Sequence, residues 1–397
     1  MQKFHTRPVI TVALVGTGWA GRMHAASYQR ICGLDCRLKT VCSLEPGTDR
    51  FAEEFHFARW TKDFEQVLGD PEIQIVDIAA PPAVHLWMVE KALEAGKDVI
   101  CEKPLTGYFG QGEDLPGHTS KKQMLEQVAR TLKKLEQKQK ESGRALYYAE
   151  NWIYSPPFVR ALELVQKKKT TLLAICGQTG HKGSHAAHAA SWKANGGGAL
   201  IRQGTHPVAA ALYLKRKEME AKGEAYGVRS VLGDCACIAG RWDPEKKRAL
   251  HTNSMDVEDW AQVVITFTDG TKASILAGDL FLSQIYNRME LFGNDAVYRI
   301  NMTPNNLLEA YFADDKGIQK EAVMEKNDQN IGWHQVLVEE AMLRGYVGQL
   351  QDFLECTAYG RMPKSDFRLA KETLLLIYGA YYSAEIGQAV DLKDWLA

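Results

Sequence analysis

The chain has 397 residues, 45% apolar and 24% charged, with a formal net charge of −1. Its length is the prior for two domains, and its composition is that of a soluble globular protein with no global field to draw it to nucleic acid or to a membrane. Eight cysteines lie scattered with no C-x-x-C pair, which fits reduced thiols in the cytoplasm rather than a disulfide framework, and no apolar run approaches the ~20 residues of a membrane span.

The opening MQKFHTRPVITVALVG has the charge and apolar run of a short signal peptide, but the glycine turn behind it favours a first buried strand, Val9–Val15. That turn is Gly16-Thr17-Gly18-Trp19-Ala20-Gly21, a G-x-G-x-x-G, with helical periodicity resuming near Met23. After a strand and before a helix, such glycines give a tight turn, room for a pyrophosphate and close helix packing. Leu38–Ser43 reads as a second strand, and the acidic residue expected at its end is replaced by Ser43, then Leu44 and Glu45. Serine does not repel a 2′-phosphate, and Arg50 stands nearby, so NAD and NADP both stay open, with a lean to NADP. Ile73–Ala80 reads as the next strand, ending in Pro81-Pro82. His85–Ala95 reads as a helix closed by Gly96, and Lys97–Cys101 as a strand running into Glu102-Lys103-Pro104. This alternation predicts a doubly wound parallel sheet with its ligand at the carboxyl ends of the strands, where Lys103 sits. Thr106–Thr119 is Gly- and Pro-rich and reads as a long loop, either a lid or a solvated insertion. Ser120 and Gln123 form a capping-box pattern, and the helix behind them carries Met124, Leu125, Val128, Leu132 and Leu135 on one face until Gly143.

In the second half, Gly196–Leu214 reads GGGALIRQGTHPVAAALYL. A spacing of four puts Arg202 and His206 on one helical face. His181, His185 and His188 cluster upstream, but no Cys or carboxylate accompanies them at ligand spacing, and no metal is assigned. Val263–Phe267 and Ala273–Leu276 alternate around Thr268-Asp269-Gly270, a hairpin signal.

VALVGTGWAGRMH, APPAVH and VICEKPLT, in that order and spacing, resemble the glucose–fructose oxidoreductase/inositol dehydrogenase (Gfo/Idh/MocA) family. AENWIYSPPF (Ala149–Phe158) looks like the strand leaving its nucleotide domain and GGGALIRQGTH like its substrate-side helix. Val257–Gly278 and Met289–Asn301 look like its open antiparallel sheet, and Tyr381–Leu392 like its C-terminal segment. The resemblance implies a Rossmann domain over residues 1–149 and an α/β domain with a large, mostly antiparallel open sheet over 150–397, whose C-terminal segment packs back on the first. It implies NAD or NADP and hydride transfer on a sugar, cyclitol or sugar acid, in a homodimer or homotetramer joined through one sheet face. Lys103 and His206 map onto catalytic positions. Arg202, His185 and Tyr154 map onto the substrate side. Gly16, Gly18, Trp19, Ala20, Gly21, Ser43, Ala80, Pro81, His85, Glu102, Lys103 and Asn151 map onto the coenzyme side. Two departures stand out: Arg202 where the family has Asp, and Ala209 where it has a further acid. An Arg beside His206 removes its orienting acid, so either another acid takes that role or the substrate brings negative charge, a carboxylate on the Arg202 fork. The bland alternative pairs Arg202 with an acid of the fold. Rival functions are a coenzyme-recycling glycoside hydrolase or isomerase without net redox, and a catalytically weak nucleotide- or metabolite-binding protein.

Overall fold

The computed structural model describes residues 7–184, 186–282, 285–303, 308–319, 330–336 and 338–396. The β-branched run predicted to open the fold forms β1 (Val9–Val15), buried at every position after the first. It is followed by β2 (Asp35–Cys42), β3 (Arg59–Thr61), β4 (Ile75–Ile78), β5 (Asp98–Glu102) and β6 (Leu146–Ala149). These pair in the order β3-β2-β1-β4-β5-β6, all parallel. Helices α1 (Trp19–Tyr28), α2 (Thr48–Glu54), α3 (Phe64–Leu68), α4 (Pro82–Glu94) and α5 (Lys121–Ser142) connect them. The strand order reverses between β1 and β4, and a crevice opens at that point beyond the carboxyl ends. Val15 pairs with Ile78, Ile78 with Cys101, and Glu102 with Ala149, so the four strand ends that face the crevice lie level.

The second sheet takes β7 (Leu172–Gly180), β8 (Val228–Ala236), β9 (Trp260–Phe267), β10 (Lys272–Gly278), β11 (Tyr286–Gly293) and β12 (Val297–Asn301). A separate hairpin pairs β13 (Glu309–Phe312) with β14 (Gly332–Gln335), and β15 (Val390–Asp391) edges the large sheet. The order is β12-β11-β7-β10-β9-β8-β15, antiparallel except for β10 on β7. The predicted hairpin is β9–β10, with Gly270 at φ +89° in the turn. One face of this sheet is covered by α8 (Thr205–Lys222) and α12 (Phe367–Ile386), and α6 (Pro156–Lys168), α7 (Trp192–Asn195), α9 (Pro244–Lys247), α10 (Glu340–Leu343), α11 (Tyr346–Tyr359) and α13 (Lys393–Leu396) complete the helices.

The chain returns to its first half. α11 packs on α1 and α12 on α5, while Tyr148 N–H donates to Ser365 O at 3.2 Å. Three local expectations need correcting. Helix α4 starts at Pro82, because proline suits the first helical turn. Ala149–Phe158 is not a strand: β6 ends at Ala149, the Glu150 carboxylate accepts the Trp152 N–H, and a 3₁₀ turn over Asn151–Tyr154 leads into α6. Ser120 makes no side-chain cap. The first turn of α5 is instead capped by Glu385 of α12, which accepts Lys121 N–H at 3.0 Å. Among the described residues no helix is long and apolar enough to cross a membrane.

Candidate functional site

The glycine turn has the shape its sequence predicts. Gly16 adopts φ +105°, and a Cβ there would meet the Ala79 carbonyl at 2.4 Å, while one on Gly21 would strike the Gly16 carbonyl. Gly18, the N-cap of α1, opens onto space with no atom within 4 Å of such a Cβ. The first turn of α1 has no acidic residue and no capping side chain, so its N–H groups are open to an anion. These features fit the pyrophosphate of a dinucleotide. Trp19 is half-exposed and stands edge-on to Tyr346 at 5.9 Å, with the partly buried Ala20 beside it. Ser43 Oγ accepts Thr17 Oγ1–H at 3.0 Å and Glu45 N–H at 3.1 Å. Pro81 caps α4, and its neighbour Ala80 gives a carbonyl to His85 Nε2 at 2.7 Å. The other His85 nitrogen lies 2.8 Å from Pro104 O, so this buried ring ties the end of β4 to the Glu102-Lys103-Pro104 turn. Burial holds its pKa below the ordinary histidine range.

Lys103 leaves the end of β5, and its Nζ donates to the Arg202 carbonyl at 2.6 Å. Burial pushes this amine below the ordinary lysine range, against the pull of Glu102 and Glu150 and with Arg202 adding to the effect. The Arg202 carbonyl is available because Leu200–Gly204 is a π turn ahead of α8. An i→i+5 register would bring it the N–H of residue 207, and Pro207 has none. The wider turn also separates the two side chains that a four-residue spacing was expected to stack. The Arg202 guanidinium goes to Asp279, just past β10, whose other oxygen accepts Gln203 Nε2 at 2.6 Å. His206 goes to Glu150: Nδ1 lies 2.9 and 3.0 Å from the two carboxylate oxygens, and its ring stacks on Trp152 at 5.5 Å and 6°. Glu150 is fully buried directly beyond β6, one residue past Ala149, which pairs with Glu102 at the end of β5.

The triple glycine fixes where this turn begins. Gly197 has φ +151°, and a Cβ there would lie 2.4 Å from the Tyr381 hydroxyl. Glu258 accepts the N–H groups of Gly198 and Leu200 at 2.9 Å each and the Tyr381 hydroxyl at 2.8 Å, and burial raises its pKa. The Thr106–Thr119 loop is pinned to the second half: Tyr108 N–H donates to Tyr378 Oη at 2.7 Å and Gly117 N–H to Asp256 at 2.8 Å.

Lys103, His206, Arg202, Glu102 and the glycine turn thus converge. Two residues expected with them are engaged elsewhere. The Tyr154 hydroxyl donates to Asp352 at 2.7 Å and accepts Ser365 N–H at 3.0 Å, so both its bonding directions are used inside the fold. Asn151 donates to the Arg344 carbonyl at 2.7 Å. His185 lies outside the described residues. His181 follows β7 and His188 sits in a 3₁₀ turn over Ala187–Ala190, so they do not share a helical turn. Glu150, Trp152 and Asp279 were not singled out from the sequence. The one signal for Glu150 is an acid immediately after a buried strand.

The family described as "Oxidoreductase family, NAD-binding Rossmann fold" matches residues 10–130, and the GFO/IDH/MocA C-terminal domain matches 170–299. A levoglucosan dehydrogenase of Pseudarthrobacter phenanthrenivorans is 25% identical over 334 residues, 77% of each chain. The scyllo-inositol 2-dehydrogenase (NAD(+)) of Bacillus subtilis is 35% identical over 101 residues, 24% of this chain and 28% of that one. Among solved structures, GenD2 from gentamicin A biosynthesis in complex with NAD superposes with a TM-score of 0.77 at 24% identity, covering 98% of this chain and 97% of that one. Levoglucosan dehydrogenase in complex with NADH and levoglucosan gives 0.73 at 20% identity, covering 97% and 100%.

Proposed function

The chain belongs to the Gfo/Idh/MocA oxidoreductases, NAD(P)-dependent enzymes acting at CH–OH groups, and on that premise we propose that it oxidises or reduces an uncharged sugar or cyclitol. Residues 1–149 hold the coenzyme and 150–397 shape the substrate side. The glycine turn and the start of α1 take the pyrophosphate, and Ser43 with Arg50 tolerates a 2′-phosphate, since the Arg50 guanidinium has no ion pair among the described residues. When bound, the nicotinamide supplies the hydride acceptor or donor.

The protein's own part is proton handling. The Glu150 carboxylate only accepts, so His206 Nδ1 carries the hydrogen and Nε2 is left as the basic nitrogen. Its lowered pKa favours the neutral amine, in which Lys103 gives one N–H to Arg202 and keeps a second N–H and a lone pair for a substrate hydroxyl. As a carbinol is oxidised, its hydroxyl proton goes to Lys103 or His206. The reverse reaction returns it to the carbonyl oxygen. The observation that carries this reading is that Lys103 bonds the Arg202 carbonyl just ahead of His206, whose ring is held by Glu150. Arg202 bears on the substrate's charge: its guanidinium is matched by Asp279, so the pair as a whole offers a carboxylate no net positive charge.

Purified protein with NAD and NADP, a panel of neutral sugars and inositols and the matching uronates, followed by nicotinamide absorbance, tests the proposal. Turnover of a neutral polyol lost in Lys103→Met and His206→Asn is expected. Turnover confined to uronates, or kept in Lys103→Met, overturns it. We place the homo-oligomer contact on the outer face of the second sheet, where Cys176, Gln178, Gln262, Arg288 and Arg299 line a shallow cavity of about 500 Å³. All eight cysteines are free thiols, which supports a cytoplasmic setting.

A further inference from the structure

The interior of the first sheet holds a charged group that the proton path above does not use. His24, on α1, is fully buried. Its Nδ1 lies 3.0 and 2.8 Å from the oxygens of Asp77 on β4, and its Nε2 lies 3.1 Å from Oε1 of Glu102. The Tyr28 hydroxyl donates to Asp77 at 2.8 Å, and the other Glu102 oxygen accepts the Lys103 N–H at 3.0 Å. Carboxylates only accept, so an imidazole with one at each nitrogen donates from both and is a cation. Burial alone would lower its pKa, but Asp77 and then Glu102 reverse this and raise it to about 10. Burial likewise pushes the Glu102 carboxyl up, and His24 followed by Lys103 brings it below the usual carboxylate range.

Two carboxylates act on the Lys103 amine, and each has an imidazole of its own. Glu150 holds His206 at the edge of the crevice, and Glu102 holds His24 in the core. The other charged or titratable groups facing Lys103 are Arg202 and His85. Around His24 stand Asp77, Glu102 and the Tyr346 ring, with Tyr28, Cys36 and Cys101 behind the carboxylates. We propose that His24 is a positioning residue for Lys103: it fixes Glu102 on the Lys103 backbone and offsets the negative charge that would otherwise hold Lys103 as ammonium. The role rests on the reading of Lys103 as a proton-handling group.

The test is the pH profile of kcat/KM for polyol oxidation in wild type, His24→Gln, Glu102→Gln and the double variant, with coenzyme affinity measured alongside. Removing the cation alone is expected to move the acidic limb up by about one pH unit, and removing the carboxylate alone to move it down by a similar amount. The double variant returns close to wild type. A role confined to packing lowers kcat in all three and leaves the limb in place, which overturns the proposal. Should His24→Gln fail to fold, the wild-type protein decides: the assigned His24 ring is expected to keep both nitrogens protonated at about pH 8.5 in ¹⁵N spectra, and a single protonated nitrogen there overturns the proposal. Lys103→Met separates the two claims. Full activity in it removes the functional reading itself, whereas an inactive Lys103→Met beside an unmoved limb removes only the role of His24.

Discussion

A carboxylate on one nitrogen of an imidazole selects a tautomer and an orientation at once, and that is what Glu150 contributes to His206. Glu150→Gln keeps an acceptor for Nδ1–H but removes the charge behind it. A fall in kcat of about 100-fold with unchanged coenzyme affinity is expected, read by steady-state kinetics and coenzyme fluorescence. An equal loss of coenzyme binding would show that Glu150 serves the fold instead. Arg202 stands where the family resemblance implies an orienting acid, and the structure pairs both side chains: Glu150 holds the histidine, and Asp279 neutralises the arginine. Freeing that arginine should change substrate preference. In Asp279→Asn the ratio of uronate to neutral-sugar activity is expected to rise about tenfold, and a constant ratio would mean that the guanidinium does not face substrate. Lys103, His206 and the glycine turn were readable in the sequence because their motifs fix them locally. Glu150 and Asp279 were not, because each meets its partner only through tertiary packing across 56 and 77 residues.

Among the elements, the segment joining the triple glycine to α8 depends on a missing donor. In the π turn over Leu200–Gly204 the N–H that would reach the Arg202 carbonyl belongs to Pro207 and is missing, and Lys103 supplies the bond instead. Pro207→Ala restores an N–H that the π register directs at the Arg202 carbonyl. The carbonyl is then contested, and kcat is expected to fall about 10- to 100-fold with coenzyme affinity intact. Unchanged kcat would show that Lys103 is held by something other than this carbonyl. Pro207 stands beside His206 in the sequence, and a period of 3.6 does not hold across the π turn before it, so Arg202 and His206 leave the single face that their spacing predicts. The cap of α5 shows the opposite limit. Its sequence pattern was local and convincing, but Glu385, 264 residues away along the chain, occupies the position. Local rules name the candidates for an unsatisfied N–H, and tertiary packing chooses among them.

For the whole molecule, the two sheets were legible because each has its own period: continuous apolar runs for the parallel sheet, strict alternation for β9 and β10. What periodicity does not carry is the charge buried between the first sheet and α1. Asp77 sits inside an otherwise apolar strand, IVDI, and has meaning only once α1 brings His24 and Tyr28 against it. That network should dominate how stability responds to alkali. The folded-state pKa of His24, about 10, lies above the 6.5 of an exposed histidine. Its contribution is therefore complete below pH 6.5 and is lost as the pH rises toward 10, because only the unfolded chain releases this proton over that interval. One proton corresponds to a slope of about 1.4 kcal/mol per pH unit. His85 does not disturb the comparison, because it is common to wild type and variant and cancels in the difference between their slopes. The thiols are protonated in both states up to about pH 8, so urea unfolding between about pH 6.5 and 8 isolates the histidine. Wild type is expected to lose stability steadily across that window and His24→Gln to stay nearly level. Parallel slopes for the two would mean that His24 is neutral in the folded protein, and that one of its flanking carboxyl groups holds the proton instead.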